Sequence, residues 1–357
     1  MDRAVRHEAL EIIAGQAGKN PAALMHVAQE MVETRPQRAV ALAIEILAMT
    51  PPPSIAAAAA ALLKDMVPGW HFVIVRDDAR NSAYDRALRR AVTPQSRVLD
   101  IGSGTGLLAM MAARAGAGEV FTCEQNAAVA AAARRVLEAN GFADRIRLIG
   151  KHSSELDLDR DLGGPVDVLV SEIVSNNLIG EGCLPVMEEA ARWLKPDGQM
   201  IPRAGTVRVA LVWSDTAERE AMGMVEGFDL SAFNMLAAAA RRYRVGDPKI
   251  DIRSSSADLM HFDFRSGGPF RAHEARAAVV ADGRPANGVI QWIRLNIDDS
   301  ILYENRPAPG TESCWAALFY PLPEILERRA GETVHILGTH DRVSLFIRVA
   351  AAGETGA

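Results

Sequence analysis

Two acidic residues, Glu172 and Glu181, stand nine positions apart in the run Ser171-Glu172-Ile173-Val174-Ser175-Asn176-Asn177-Leu178-Ile179-Gly180-Glu181-Gly182. Paired carboxylates facing one planar cation suit a guanidinium, whose rigid fork of donors matches bidentate acceptors and whose charge offsets theirs in a desolvated pocket. Held by one edge, the guanidinium would present its remaining nitrogen to an electrophile, so positioning and electrostatics together lower a displacement barrier. The very high pKa of arginine places proton loss after such a transfer, with a carboxylate as acceptor. The bland alternative is a helix-capping or surface pair of acids. A second cluster reads Asp100-Ile101-Gly102-Ser103-Gly104-Thr105-Gly106. Missing side chains there let the backbone approach a ligand, and the helix that follows presents free N–H groups. Glu124, closing the next apolar run, can accept both hydroxyls of a ribose.

These residues need a particular scaffold. Short aliphatic runs at Val98–Ile101, Val120–Thr122, Ile146–Ile149 and Val166–Val170 read as strands buried on both faces. The stretches Leu107–Ala115 and Ala127–Ala139 between them have helical composition, so the chain alternates β-α-β in a doubly wound α/β sheet with its ligand edge at the strands' carboxyl ends. Upstream, prolines at 21, 36 and 51 fall at equal intervals beside amphipathic stretches such as Ala22–Glu33 and Ala39–Leu47. They predict a stack of short helices resembling a tetratricopeptide array, either a docking surface or simple padding for the next domain. Beyond Pro202 alternating strands dominate (Val207–Trp213, Ala277–Val280, Val289–Ile297, Trp315–Tyr320, Val334–Leu337), which favours an antiparallel barrel. Asp282-Gly283-Arg284 and the stretch from Gly338 to Arg342 supply turns. The interruption at about 216–248, rich in Ala and Met, reads as a helical arm whose exposed Met and Leu favour a twofold dimer. The expected divisions are 1–66, 67–203 and 204–357.

The run Val98–Gly106, with Glu124 and the turn Leu194-Lys195-Pro196-Asp197-Gly198, resembles class I S-adenosylmethionine-dependent methyltransferases. A nicotinamide-binding sheet is the competing reading, and the G-x-G-x-G spacing disfavours it. The segment around Glu172 and Glu181 is similar to the double-glutamate loop of protein arginine methyltransferases. Trp70-His71-Phe72, Asp77, Arg80-Asn81 and Tyr84 resemble that family's helix over the cofactor; Phe228–Asn234, the strand Phe262-Asp263-Phe264 and Trp315 with Phe319-Tyr320-Pro321 resemble its barrel and arm. The resemblance covers roughly residues 67 to 348 and points to the branch with helical repeats before the catalytic core. It implies S-adenosylmethionine as cofactor, a homodimer, and an arginine-containing protein or peptide as acceptor. Glu172 and Glu181 become the catalytic pair. His71, Arg80, Asp100, Gly102, Gly104, Thr105, Glu124, His152 and Ser153 become the cofactor-binding set, and Trp315 joins the two glutamates at the substrate. One departure stands out. The family's Thr-His-Trp loop is here Ser313-Cys314-Trp315, so the family's histidine pair with the acid at Asp77 cannot form. The family's tyrosine pair ahead of the helix is also missing from Leu62–Gly69.

Composition narrows the alternatives. A formal charge of −6 on 357 residues, 49% of them apolar, excludes a densely basic nucleic-acid binder and is ample for more than one core. Cys123, Cys183 and Cys314 are too few and too scattered for a disulfide framework or a thiolate zinc site, and fit a reducing cytoplasm. Charges at Asp2, Arg3, Arg6, Glu8 and Glu11 argue against a secretory signal, and Pro51-Pro52-Pro53 against a spanning helix at Ile46–Leu63. Cys123 reads as a packed apolar group, Thr339-His340-Asp341 as a hairpin turn, Arg241-Arg242-Tyr243-Arg244 as a solvated helix end, and Met110 and Met111 as core. Two other functions compete with arginine methylation: methylation of a free guanidino compound or other non-protein acceptor, and a non-catalytic scaffold.

Overall fold

The structure, a computed structural model, describes residues 3–215, 222–351 and 354. The chain forms two units, one made of the chain up to Val75 together with Val92–Pro165, the other of Arg76–Ala91 together with the chain from Val166 on.

The first unit opens with helices α1 (Arg3–Ala17), α2 (Pro21–Met31), α3 (Pro36–Ala48) and α4 (Pro53–Met66). Proline begins each of the last three, where its fixed φ suits the first turn and its missing N–H has no helical partner to lose. Asn20 caps α2 by accepting from the N–H groups of Ala22 and Ala23. One apolar cluster, with Leu24, Met31, Leu42 and Ile46 nearly inaccessible, joins the array, and α3 packs against a helix of the sheet, α8. A one-turn helix α5 (His71–Ile74) follows. The parallel strands β1 (Arg97–Ile101), β2 (Glu119–Cys123) and β3 (Ile146–Ile149) lie in the order β3-β2-β1, with α7 (Leu107–Arg114) and α8 (Ala127–Ala139) between them in sequence.

The second unit holds α6 (Asp78–Ala91), the parallel pair β4 (Val166–Ser171) and β5 (Leu194–Ile201), and the intervening α9 (Cys183–Ala190). The remaining strands are antiparallel. β6 (Ala204–Ser214), β7 (Met224–Val225), β8 (Phe228–Asp229), β9 (Arg241–Tyr243), β10 (Ile250–Ile252), β11 (Ala257–Asp263), β12 (His273–Val280), β13 (Ala286–Asn296), β14 (Leu302–Glu304), β15 (Ala317–Leu326), β16 (Thr333–His340) and β17 (Leu345–Val349) follow in turn. The main sheet runs β10-β6-β13-β15-β9, with β11 beside β6 and β14 beside β13; β12-β16-β17 form a second sheet. This is the expected architecture: helices, a Rossmann-like parallel sheet, then a barrel-like antiparallel region. No described helix is long and apolar enough to cross a membrane.

Several local expectations fail. Of the arm, residues 216–221 lie outside the described residues, and the rest is a hairpin, a 3-10 turn at Ser231–Leu236 and strand β9, not a helix. Glu226 and Gly227 both have positive φ (51° and 84°), so a two-residue turn that fits strand twist overrides the helical composition. Arg241–Tyr243 is likewise no helix end, because it pairs with β15. Leu194–Gly198 belongs to β5 as a bulge: Val166 faces Leu194 but Val168 faces Gln199. Gly198 is required there, since a Cβ would stand 2.9 Å from Leu194 and 3.0 Å from the Lys195 carbonyl oxygen. β11 ends at Asp263, one residue short of Phe264. β16 continues through His340, leaving Asp341–Ser344 as the turn before β17.

Candidate active site

In the first unit the glycine loop wraps onto the end of β2. The N–H groups of Gly102 and Ser103 both donate to the Cys123 carbonyl oxygen (3.1 and 2.9 Å). Gly102, Gly104 and Gly106 have φ of 81°, 51° and 82°, values that glycine adopts without a Cβ penalty. Glu124, 7% exposed, accepts the Gly104 N–H on Oε2 (3.1 Å) and the Asn126 N–H on Oε1 (2.8 Å). A carboxylate offers about four acceptor positions, so each oxygen keeps one for a ligand hydroxyl. Burial raises its pKa, opposed by those N–H bonds. Asp100 is fully buried and accepts the Thr122 hydroxyl at 2.9 Å; burial first, then the Glu124 charge, pushes its carboxyl to about 7. Ser103 Oγ is buried with no hydrogen-bond partner among the described residues. Thr105 sits in the turn into α7. An acid with spare acceptors, an unpartnered hydroxyl and a side-chain-free loop fit a nucleoside.

The other cofactor candidates of this unit stand on their own local features. His71 stacks on Trp70 with ring centroids 3.8 Å apart, and burial lowers its pKa. His152 caps a 3-10 turn over Ser153–Glu155: its ring accepts the Ser154 N–H, and the Glu155 carboxylate accepts the His152 N–H. Ser153 is buried in that turn. Cys123 is buried with its thiol pushed up to about 12, which fits the apolar packing expected of it.

The second unit gathers Asp77, Arg80, Glu172 and Trp315. Asp77 precedes α6 and accepts the Arg80 N–H on Oδ1 (2.9 Å). Its Oδ2 accepts the Tyr303 hydroxyl (2.6 Å) and the Cys314 N–H (3.0 Å), and Tyr303 also meets Ser313 Oγ at 2.7 Å. Burial would raise Asp77, but these donors outweigh it and hold the carboxyl below its usual range. The turn thus placed delivers Arg80, 3% exposed, whose Nη1 pairs with Glu172 Oε2 at 2.8 Å. Nη1 also lies 4.0 Å from Cys314 Sγ, and the guanidinium stands 5.9 Å from the Trp315 ring centroid. Glu172 Oε1 is buried without a hydrogen-bond partner among the described residues. Burial pushes Glu172 to about 8; the Arg80 charge opposes the rise, and the charges of Glu181 and Asp77 add to it. A second cation beside Oε1 would oppose that rise further and favour the ionised form.

Backbone and side chains shape the loop from Glu172 to Glu181. Tyr84, fully buried, donates to the Ser171 carbonyl oxygen at 3.1 Å. The Gly180 N–H donates to both Ser175 Oγ (2.9 Å) and Asn177 Oδ1 (2.8 Å). Leu178 and Glu181 hold positive φ of 74° and 59°, conformations that for non-glycine residues cost of order 1–3 kcal/mol and persist only where surroundings over-determine them. Glu181 is exposed; what burial it has raises its pKa, against the nearby charge of Arg242. Sequence reading missed Tyr303, Gln291 and Asn176. Gln291 could have been noticed as the one amide in the apolar run Val289-Ile290-Gln291-Trp292-Ile293. Among the described residues no group of three or more His, Cys, Asp or Glu could hold a metal.

Comparison with known proteins bears on this geometry. The family described as a methyltransferase domain matches residues 98–198. An arginine N(omega)-methyltransferase of Streptomyces achromogenes subsp. streptozoticus is 41% identical over 344 residues, 91% of each chain. The chain belongs to the arginine N-methyltransferase family. This arginine methyltransferase is therefore an S-adenosylmethionine-dependent enzyme. Protein arginine N-methyltransferase 7 of Oryza sativa subsp. indica is 34% identical over 267 residues, 67% of this chain but 37% of its own length, so this chain spans little more than a third of that relative. The Trypanosoma brucei PRMT1 enzyme-prozyme heterotetrameric complex with AdoHcy shares the fold: TM-score 0.70 at 24% identity, over 81% of this chain and 95% of that one.

Proposed function

We propose that Glu172 and Glu181 hold an arginine guanidinium for methyl transfer to one of its terminal nitrogens, with arginine in a protein or peptide as acceptor. The observation that carries this is Glu172 Oε1, a buried acceptor with no donor beside an oxygen already paired to Arg80. A buried unpaired acceptor is costly, and a guanidinium N–H supplies both the missing hydrogen bond and the charge that makes ionised Glu172 favourable. S-adenosylmethionine, when bound, supplies a methyl carried on a sulfonium. Glu124, Asp100, Thr105, Ser153, His152 and the loop at Gly102 and Gly104 are its proposed contacts; His71 and Arg80 are assigned to it by family resemblance. Trp315 would wall the acceptor site. Glu172 and Glu181 restrict rotation of the guanidinium, leave one nitrogen free to attack, and receive the proton that the methylated product sheds.

A second reading is favoured by one observation. The relative matched over 91% of its length is named for arginine and not for protein arginine, so free arginine is the alternative acceptor. Labelled-methyl transfer, assayed on an arginine-containing peptide and on free arginine, separates the two. Absence of label from both would end the guanidinium reading.

The homodimer also remains a proposal. Met222, Met224, Val225, Phe228, Phe233, Met235 and Leu236 are all exposed on the arm, Met235 by 85%, and a second copy of this chain would cover them. Free thiols at Cys123, Cys183 and Cys314 support a reducing cytoplasm. The division at 66 and 203 is kept as the functional one: helices, cofactor domain, and substrate domain with its arm.

A further inference from the structure

We infer that Gln291 is a positioning residue for the carboxylate pair: from the middle of the antiparallel sheet it fixes the peptide unit of Asn176, midway between Glu172 and Glu181. The inference rests on the proposal that those two glutamates hold the guanidinium. Gln291 lies on β13, opposite Val209 of β6 and Leu318 of β15, and is wholly inaccessible. Its neighbours Ile290 and Trp292 point to the other face and join an apolar cluster with Ala210, Val212 and Phe319. A leucine or methionine would suit a site so deeply buried. The chain instead keeps an amide whose Oε1 has no donor among the described residues, a buried group that packing alone disfavours.

What the amide does is visible on its other end. Gln291 Nε2 donates to the Asn176 carbonyl oxygen at 3.1 Å. Two residues earlier, the Val174 carbonyl oxygen accepts Trp315 Nε1 at 2.8 Å. In return, Asn176 Oδ1 accepts the Ala316 N–H at 2.7 Å. Alternate carbonyls of the loop are thus tied at two points, one to β13 and one to the segment leading into β15, with Asn176 fastened through both its backbone and its side chain. Glu172 has separate supports, the Arg80 ion pair and the Tyr84 bond to Ser171. Glu181 has none of these; its place depends on the segment from Asn176 on one side and on α9, which begins at Cys183, on the other. Removing the Gln291 donor leaves that peptide unit held through the Asn176 side chain alone, so its carbonyl can tilt, and the error falls on Glu181 more than on Glu172.

The test is steady-state methyl transfer with labelled S-adenosylmethionine, on whichever of peptide arginine or free arginine the intact protein uses. Gln291→Met keeps the volume and removes the donor. It should lower kcat/KM roughly ten- to hundredfold, while affinity for S-adenosylhomocysteine by calorimetry stays within about twofold. A double-mutant cycle reads the mechanism: added to Glu181→Gln, Gln291→Met should cause little further loss, whereas added to Glu124→Ala its effect should multiply. Should Gln291→Met not fold, Gln291→Asn, polar but too short to reach Asn176, serves in its place. A folded variant with near-normal kcat/KM overturns the proposal. So does loss of cofactor affinity in parallel with activity, or full multiplicativity with Glu181→Gln. If Glu172→Gln and Glu181→Gln themselves keep near-normal turnover, it is the guanidinium reading that has failed.

Discussion

The glycine loop and the carboxylate loop are both short, acid-bearing turns at strand ends, yet they are held by opposite means. Around Glu124 the partners of the carboxylate, Gly104 and Asn126, come from within about twenty residues of chain, and every bond uses backbone N–H groups. Around Glu172 and Glu181 the loop's partners are Arg80, Gln291 and Trp315, each separated from the loop by some ninety residues or more and each acting through a side chain, with Tyr303 one step behind as a donor to Asp77. A locally closed site tolerates changes elsewhere in the molecule. A site closed by distant side chains can be retuned from many positions, and can also be broken from them.

The most severe test of this contrast is Glu172→Gln. Glutamine keeps the shape but removes the charge that compensates a guanidinium, and the expected loss of methyl transfer is about 3–5 kcal/mol of transition-state stabilisation, with S-adenosylhomocysteine affinity nearly unchanged. The same residue sets a pH dependence. Burial raises the Glu172 pKa to about 8 in the free protein, so kcat/KM should climb as pH rises toward that value, and the limb should flatten in a residual activity of Glu172→Gln. Stability should run the other way. The folded state binds this proton more tightly than the unfolded chain does, so its contribution is present below about pH 4.5 and is lost as pH rises through about 8. Melting curves across that range, compared with those of Glu172→Gln, check the sign.

Glycine substitutions sharpen the comparison. At Gly180 a Cβ would lie 2.5 Å from Ser175 Oγ and 3.0 Å from Asn177 Oδ1, the two groups that accept its N–H. Gly180→Ala should therefore open the carboxylate loop, with methyl transfer falling roughly tenfold or more. At Gly104 the nearest atom to a Cβ is the Gly102 carbonyl oxygen at 3.9 Å, so alanine meets only the strain of a φ of 51°, about 1 kcal/mol. Calorimetric affinity and turnover measured on both variants decide whether the two loops differ as described. Between these lies Glu124→Ala, which should weaken S-adenosylhomocysteine by about 1–3 kcal/mol and leave acceptor KM alone.

The same contrast explains what was legible in the sequence. The βαβ half announces itself because its signals are local: uninterrupted apolar strands, glycines where φ must be positive, and Asn126 capping α8 through the N–H groups of Ala128 and Val129. Glu172 and Glu181 were recognisable as residue types at a telling spacing. Their supports were not, since nothing near Gln291 or Tyr303 in the chain says which loop will face them. The arm shows the limit of composition: Ala and Met suggest a helix, but Glu226-Gly227 is a turn and Arg241–Tyr243 gains a strand partner in β15. At Cys314 the sequence predicts only that Asp77 lacks the family's histidine partner. In the fold Asp77 is instead satisfied by neutral donors, Tyr303 and two backbone N–H groups.

That substitution of neutral donors for an ion pair leads to a last expectation, Tyr303→Phe, whose effect is read mainly in stability. The hydroxyl is one of three donors to Asp77, so the carboxylate keeps the N–H groups of Cys314 and Arg80 when it is removed. A hydrogen bond to a charged group contributes about 1.5–3 kcal/mol, and the remaining donors should hold the loss near the lower figure. The sign with pH follows from the depressed Asp77 pKa. Stability from this bond is present above the unfolded carboxyl's ordinary value and is lost as pH falls through the lower folded one. Wild type and Tyr303→Phe should therefore differ in melting temperature at neutral pH and converge in strong acid. Turnover should drop less than for Gln291→Met, because Arg80 reaches Glu172 from a helix that Asp77 still caps through Oδ1. An equal gap in melting temperature at both pH values would assign the effect to lost packing around the ring and remove Asp77 from the explanation.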